Sequence, residues 1–246
     1  WLCLAQTPAG ELDLTLEQVT ARTVAATRAA CDAAPSAKGK GRFSYRETVL
    51  RDGEIVTHYE VNSTFTFAFS GKRDFIKFDK SPTRDVDAQI YILDRNVLLY
   101  SKFYPDDADG YIMPMHHEAG APYMHGVPPH YLCQAFAEVD KPVKHAVSLE
   151  YENGAYVIIK HGPPGLNTWK YFVDPAKDYH VVRCEKIRDK KLAAVFEKNW
   201  TRKSADVWIV RGHRHEDLPI TEGEGGRGLE FEFESFEPKM TIPEEV

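Results

Sequence analysis

The stretch "LEFEFESFE" at residues 229–237 alternates apolar and mostly acidic side chains. A strand turns successive side chains to opposite faces, whereas a helix would scatter the same phenylalanines around its axis. Leu229, Phe231 and Phe233 therefore share one strand face, and Glu230, Glu232 and Glu234 share the other. The same period of two runs through the chain from Arg42 onward. "FSYRETVLR" and "EIVTHYEVNSTFTFAFS" read as paired strands about the turn Arg51-Asp52-Gly53, and "SLEYENGAYVIIKHG" as a hairpin turning at Asn153-Gly154. "RDFIKFDK", "AQIYILD" and "NVLLYSKFY" continue the series, with Asp94-Arg95-Asn96 as another tight turn. "NTWKYFVDPAKDYHVVRCEK" gives two strands about Asp174-Pro175, and "LAAVFEKNWTR" and "DVWIVRGHRH" follow.

Ahead of the strands stands a helix. Thr15 and Gln18 fit a capping box, in which each side chain satisfies an exposed N–H of the first turn. Leu16, Val19, Thr23, Ala26, Thr27 and Ala30 recur at helical spacing and form one face of mostly small side chains, suited to close packing on a sheet. Pro35 and the following "KGKG" end it.

Residues 105–129 break the strand pattern. They are rich in Pro, Gly, Met and His, and lead into "PPHYLCQAFAEV", whose spacing predicts a short second helix. A loop this long inside a compact domain is usually functional or disordered. About ten or more antiparallel strands in one sheet tend to roll up. The expected fold is therefore α+β and mostly antiparallel β: an unclosed half-barrel with helices across its mouth, enclosing an apolar cavity.

Composition narrows the function. The chain has 246 residues, 43% hydrophobic, and a net charge of −6. That is enough chain for a sizeable core without disulfides or metal. The acidic balance argues against nucleic acid as a partner, because no broad basic surface would release phosphate counterions. The opening "WLCLAQTPAGE" resembles the tail of a signal peptide with a small residue at Ala5. The expected division is a signal remnant and linker over 1–14 and one domain over 15–246, with 105–139 as a flap loop plus helix. Outside the signal remnant lie Cys31, Cys133 and Cys184, an odd number that fixes no disulfide framework.

No catalytic motif stands out. There is no nucleophile elbow and no phosphate-binding glycine loop that opens a helix. "GEGGRG" at 223–228 precedes a strand and reads as a flexible hairpin loop, and "HHEAGA" places Ala121 where a zinc-protease motif needs its second His. The carboxylate pairs Asp106/Asp107 and Glu216/Asp217 sit in polar surroundings, where nothing raises a pKa for acid catalysis. The sequons at Asn62 and Asn199 fall within strands. No catalytic residue and no cofactor are expected.

Two groups of residues remain as candidate binding sites. Phe65, Phe67, Phe69, Trp169, Tyr171, Phe231 and Phe233 are large side chains at alternate strand positions, and as a group they would line an apolar cavity. Met113, Met115, Met124, Tyr131, Leu132 and Phe136 would form the flap over it, since Met packs adaptably at binding surfaces. The competing reading makes the same loop a copper-type metal site, with His116, His117, His125 and His130 joining Met113, Met115 and Met124 as ligands. His213 and His215, two apart on a strand, are a second metal candidate, which His161 or His180 would join only by accident of the fold.

Three segments together resemble the lipoprotein-carrier family of LolA and LolB: "GRFSYRETV" after the helix, the central "TWKYFVDPAKDYHVVRCEK", and "FEFESFEPKMTIPEEV". The resemblance covers roughly residues 15–246 as a series of short motifs in order. It implies an unclosed barrel whose hydrophobic concave face holds a lipid or a lipoprotein acyl chain in the periplasm or outside the cell, with a membrane-associated partner. No local motif carries the family's functional arginine onto a position here. The Met/His-rich loop and "RKSADVWIVRGHRHE" depart from the family pattern. A third reading is a module whose curved sheet recognises a protein.

Overall fold

The computed structural model describes residues 14–33, 36–70, 73–80, 88–94, 97–103, 108–114, 147–162, 167–204 and 207–238. Helix α1 spans Leu16–Ala33. Its capping box is formed as expected: Gln18 Oε1 accepts from the Thr15 N–H at 2.9 Å, and Thr15 Oγ1 accepts from the Gln18 N–H at 3.3 Å. Val19, Thr23 and Ala30 are buried on one face. The Thr23 hydroxyl would be costly there unpaired, and it donates to the Val19 carbonyl at 2.9 Å.

Thirteen strands follow: β1 (Ser36–Arg51), β2 (Glu54–Ser70), β3 (Arg73–Phe78), β4 (Ala88–Asp94), β5 (Val97–Phe103), β6 (Ala108–Pro114), β7 (Val147–Glu152), β8 (Ala155–His161), β9 (Thr168–Asp174), β10 (His180–Arg188), β11 (Lys191–Ser204), β12 (Val207–Asp217) and β13 (Gly225–Pro238). They form one antiparallel sheet in the order β6-β5-β4-β3-β2-β1-β13-β12-β11-β10-β9-β8-β7. Each arm is a meander of hairpins, and the arms meet where β1 pairs with β13, from Ala37↔Pro238 to Val49↔Gly225. β6 and β7 are consecutive in the chain but lie at opposite edges of the sheet. Among the described residues no ladder joins them, so the sheet is unclosed as expected, and residues 115–146 connect one edge to the other in the chain.

The turns follow the sequence signals. Asp52-Gly53 and Asn153-Gly154 have positive φ at both residues, the backbone form that matches strand twist in a two-residue hairpin. Asp174 begins a single 3-10 turn before β10, its carboxylate accepting from the Ala176 N–H at 2.9 Å.

Three expectations are corrected. The first strand starts at Ser36 rather than near Arg42, so "KGKG" is strand and not a helix stop alone. Here glycine is required by close approach: a Cβ on Gly39 would lie 2.0 Å from the Ser235 carbonyl oxygen and 2.8 Å from the Phe67 ring, and one on Gly41 2.2 Å from the Glu232 oxygen. Residues 108–114 are strand β6, paired with β5, rather than part of a loop from 105. Finally, Gly225–Gly228 of the glycine-rich stretch lie in β13, paired with β1, rather than in a flexible loop. The predicted second helix over 128–139 lies outside the described residues.

Candidate functional site

The inner face of the sheet, the one that α1 packs against, carries two apolar regions. One is built on β1, β2, β3 and β13, four neighbours in the sheet. Phe43, Phe65, Phe67, Phe78, Phe231 and Phe233 are buried here, with Tyr45, Val61, Ile76 and Leu229. Their rings are tilted or edge-on to one another, as ring quadrupoles prefer: Phe65–Phe231 at 5.4 Å, Phe43–Phe231 at 5.2 Å, Phe67–Phe233 at 5.0 Å between centroids. No α1 residue is among the described members of this cluster.

The other region lies under the helix. Val19 of α1 packs with Tyr156, Ile158, Tyr171, Val173 and Val181, and Ala30 with Trp200 and Val210. Tyr179, itself a buried member of this core, anchors the helix by accepting a hydrogen bond on its hydroxyl from Arg22, whose guanidinium lies 4.7 Å from the ring centroid.

The expected cavity residues therefore divide. Phe65, Phe67, Phe231 and Phe233 come together. Tyr171 is buried in the helix-covered region instead, with Trp169 packed against it. Phe69 on β2 pairs with Ala37 of β1, and its side chain is outside the described set. Phe43 and Phe78 belong to the aromatic cluster and were not singled out. Their signal was present in the alternation of "RFSYRE" and "DFIKF". Of the flap and metal residues, Met113 stands on β6 opposite Leu98. Met115, His116, His117, Met124, His125, His130, Tyr131, Leu132 and Phe136 lie outside the described residues, as do Cys133 and the side chain of Cys31. Cys184 is buried in the helix-covered region.

Between the two apolar regions runs a polar seam. In the ladders Phe43 pairs with Phe231, Phe231 with His213, and His213 with Lys198. Directly paired residues share a face, so this row crosses four strands on the inner side, from aromatic to basic. His213 and Lys198 are each only 4% exposed. Lys198 Nζ lies 5.5 Å from the Trp200 ring centroid, and His180 stacks on that ring at 4.0 Å. Trp200 is held by its indole N–H, which donates to the Val181 carbonyl at 2.9 Å. Burial pushes His213 down to about 3, and the Lys198 charge adds to this, while a hydrogen bond to the Glu197 backbone opposes it. Burial likewise lowers His180 to about 4, opposed by Asp178 and assisted by Lys198. Nδ1 of both rings has no hydrogen-bond partner among the described residues.

Further along the same face, charges are paired. His215 Nε2 lies 3.0 Å from Asp217, which also accepts from Arg227 at 2.7 Å, and the His215 ring stacks on Phe196 at 4.2 Å. Tyr45 donates to Glu47 at 3.0 Å, and burial together with that carboxylate pushes its phenol up to about 12. His213 and His215 thus share a face, as expected, but among the described residues no group of three or more His, Cys, Asp or Glu side chains is placed to hold a metal ion.

The outer face is charged. Arg183 bonds Glu185 and Glu197 at 2.8 and 2.6 Å, Arg214 bonds Glu216 at 2.7 Å, and Arg42 bonds Glu234 at 2.7 Å. A groove of about 580 Å³ on this side is walled mainly by polar residues, among them Arg42, Ser44, Thr64, Asp79 and Glu232. Among the described residues no helix is long and apolar enough to cross a membrane.

An open antiparallel sheet with one helix on its apolar inner face defines a LolA-like half-barrel. No family model and no curated protein match the chain. Among solved structures it is similar to the crystal structure of the LolA superfamily protein NE2245 from Nitrosomonas europaea, with a TM-score of 0.50 over 93% of this chain and 96% of that one. Sequence identity is 9%, so the likeness is one of fold.

Proposed function

We propose that this protein is a non-enzymatic carrier that holds a lipid or a lipoprotein acyl chain against the inner face of its half-barrel, in the periplasm or outside the cell. The observation that carries the reading is the aromatic cluster on β1, β2, β3 and β13, which gathers six phenylalanines on a face whose described helix covers only the other half. Each methylene removed from water against such a face contributes about 0.8 kcal/mol, so a long chain is held without any directed bond. The connectivity supports the flap assignment. Residues 115–146, with Met115, Met124, Tyr131, Leu132 and Phe136, join opposite edges of the sheet. The carrier role, the location and a membrane-associated donor or acceptor are what the LolA/LolB resemblance implies. The reading includes no bond-making step.

Native mass spectrometry of the protein secreted by a bacterium tests it. The expected result is a heterogeneous extra mass that extracts into organic solvent and is lost on Phe65→Asp/Phe231→Asp. A bare protein would overturn the reading. So would a discrete mass released by chelator, which would make the Met/His loop a metal site.

A further inference from the structure

We infer that the inner face takes a neutral amphiphile with a free hydroxyl, a long-chain alcohol or a monoacylglycerol, whose hydroxyl donates to Nδ1 of His213 while its tail lies along Phe231 and Phe43. The inference rests on the carrier reading and deepens it by naming the ligand class. Three observations carry it. The first is an unpartnered acceptor. His213 is 4% exposed and its Nδ1 makes no hydrogen bond among the described residues, so a donor brought to it satisfies a buried polar atom. The bond to the Glu197 backbone uses the N–H of the ring, which leaves the lone pair on Nδ1. The second is charge. Burial holds the ring neutral, and Lys198 beside it repels a cationic donor. Lys198 has interactions of its own and calls for no anion. An ionised carboxylate has no proton to give Nδ1, whereas a hydroxyl has one and carries no charge. The third is register. His213 pairs with Phe231, and Phe231 with Phe43, so one row of the inner face leads from the acceptor onto the aromatic cluster. The Phe43 ring lies 4.9 Å from that of Phe78, which carries the apolar path on to β3. That is the order of a polar end and its tail.

The test titrates three fluorescent probes of one chain length into the full chain at neutral pH: a long-chain alcohol, its methyl ether and the matching fatty acid. The ether keeps the oxygen and loses the proton. The alcohol should bind at least about five-fold more tightly than the ether, the effect of one neutral hydrogen bond to a buried acceptor. His213→Phe should bring that ratio close to one while leaving ether affinity in place, which also shows that the variant is folded. His213→Asn, which keeps an acceptor near the place of Nδ1, should retain part of the preference. Equal affinity for alcohol and ether in the unmodified protein would overturn the hydroxyl assignment and leave the carrier reading standing. A fatty acid bound more tightly than the alcohol would overturn the neutral head group. A preference that survives His213→Phe would overturn the role of His213. Binding of none of the probes would overturn both readings.

Discussion

Arg46 on β1 bonds Glu216 on β12 across an entire intervening strand. It can do so because the residue of β13 between them is Gly228, which pairs with both Arg46 and Glu216. A Cβ on Gly228 would stand 2.6 Å from Arg46 Nε and 2.8 Å from its Cγ. The outer-face charge network thus crosses the junction of the two arms through a gap left by one missing side chain.

Gly228→Val should displace Arg46 and break this crossing. The pair is partly exposed, so the electrostatic loss is modest, about 1 kcal/mol or less. Urea unfolding of Gly228→Val, Arg46→Met and the double variant checks it. The double variant should be little worse than either single one, because both remove the same contact.

Gly39 and Gly41 should tolerate substitution far less well. Their added Cβ atoms would meet backbone oxygens at 2.0 and 2.2 Å, and backbone cannot swing aside as the end of an arginine can. Gly41→Ala is expected to cost about 3 kcal/mol or more. Gly53→Ala, in open space but at φ 78°, should cost only about 1 kcal/mol. Comparable midpoints for the two variants in thermal melts would show that β1 does not run as close to β13 as described.

Phe231→Ala should cost about 3–5 kcal/mol, since the ring touches Phe43, Phe65 and Phe78 at once. Phe236→Ala, at the half-buried rim of the same cluster, should cost clearly less. Chemical denaturation of both variants measures the difference.

Stability should fall as pH drops below about 6.5. His213 and His180 are held at about 3 and 4, below their ordinary 6.5, so the unfolded chain binds protons that the folded chain refuses. Their contribution is complete above 6.5 and is lost as pH falls toward the folded values, at up to about 1.4 kcal/mol per pH unit for each imidazole. Asp217 and Glu224 are also lowered, from 3.8 and 4.5, and lose stabilisation only at more acid pH. Between pH 5 and 6.5 the slope therefore belongs to the histidines. Urea midpoints across that range should fall with acid, and His213→Met should flatten the curve by about half.

The sequence made strand face assignment legible wherever alternation was unbroken. Phe65, Phe67, Phe231 and Phe233 were placed on inner faces from spacing alone, and they do meet. Their separation from Tyr171 was not legible, because it depends on which strand lies beside which, and β1 pairs with a strand almost 200 positions later. β1 was started late because glycine and lysine are poor strand formers by composition. The close backbone of β13, together with the Phe65 and Phe67 rings, explains the glycines. The basic seam was hidden for a different reason. Phe196, Lys198 and Trp200 do alternate in "FEKNWT", but a lysine is ordinarily exposed, so nothing in the pattern marks Lys198 as a buried side chain.

The pairing of β1 with β13 sets the order in which the molecule can assemble during synthesis. The hairpins of each arm are local and can form as they leave the ribosome, at small cost in loop entropy. The central seam cannot. Ala37 must wait for Pro238, and until then one edge of β1, where Phe43 will pair with Phe231, has no partner strand. The aromatic face thus lacks Phe231 and Phe233 for nearly the whole of translation, the interval in which an exposed apolar edge is most open to aggregation or to capture by a chaperone.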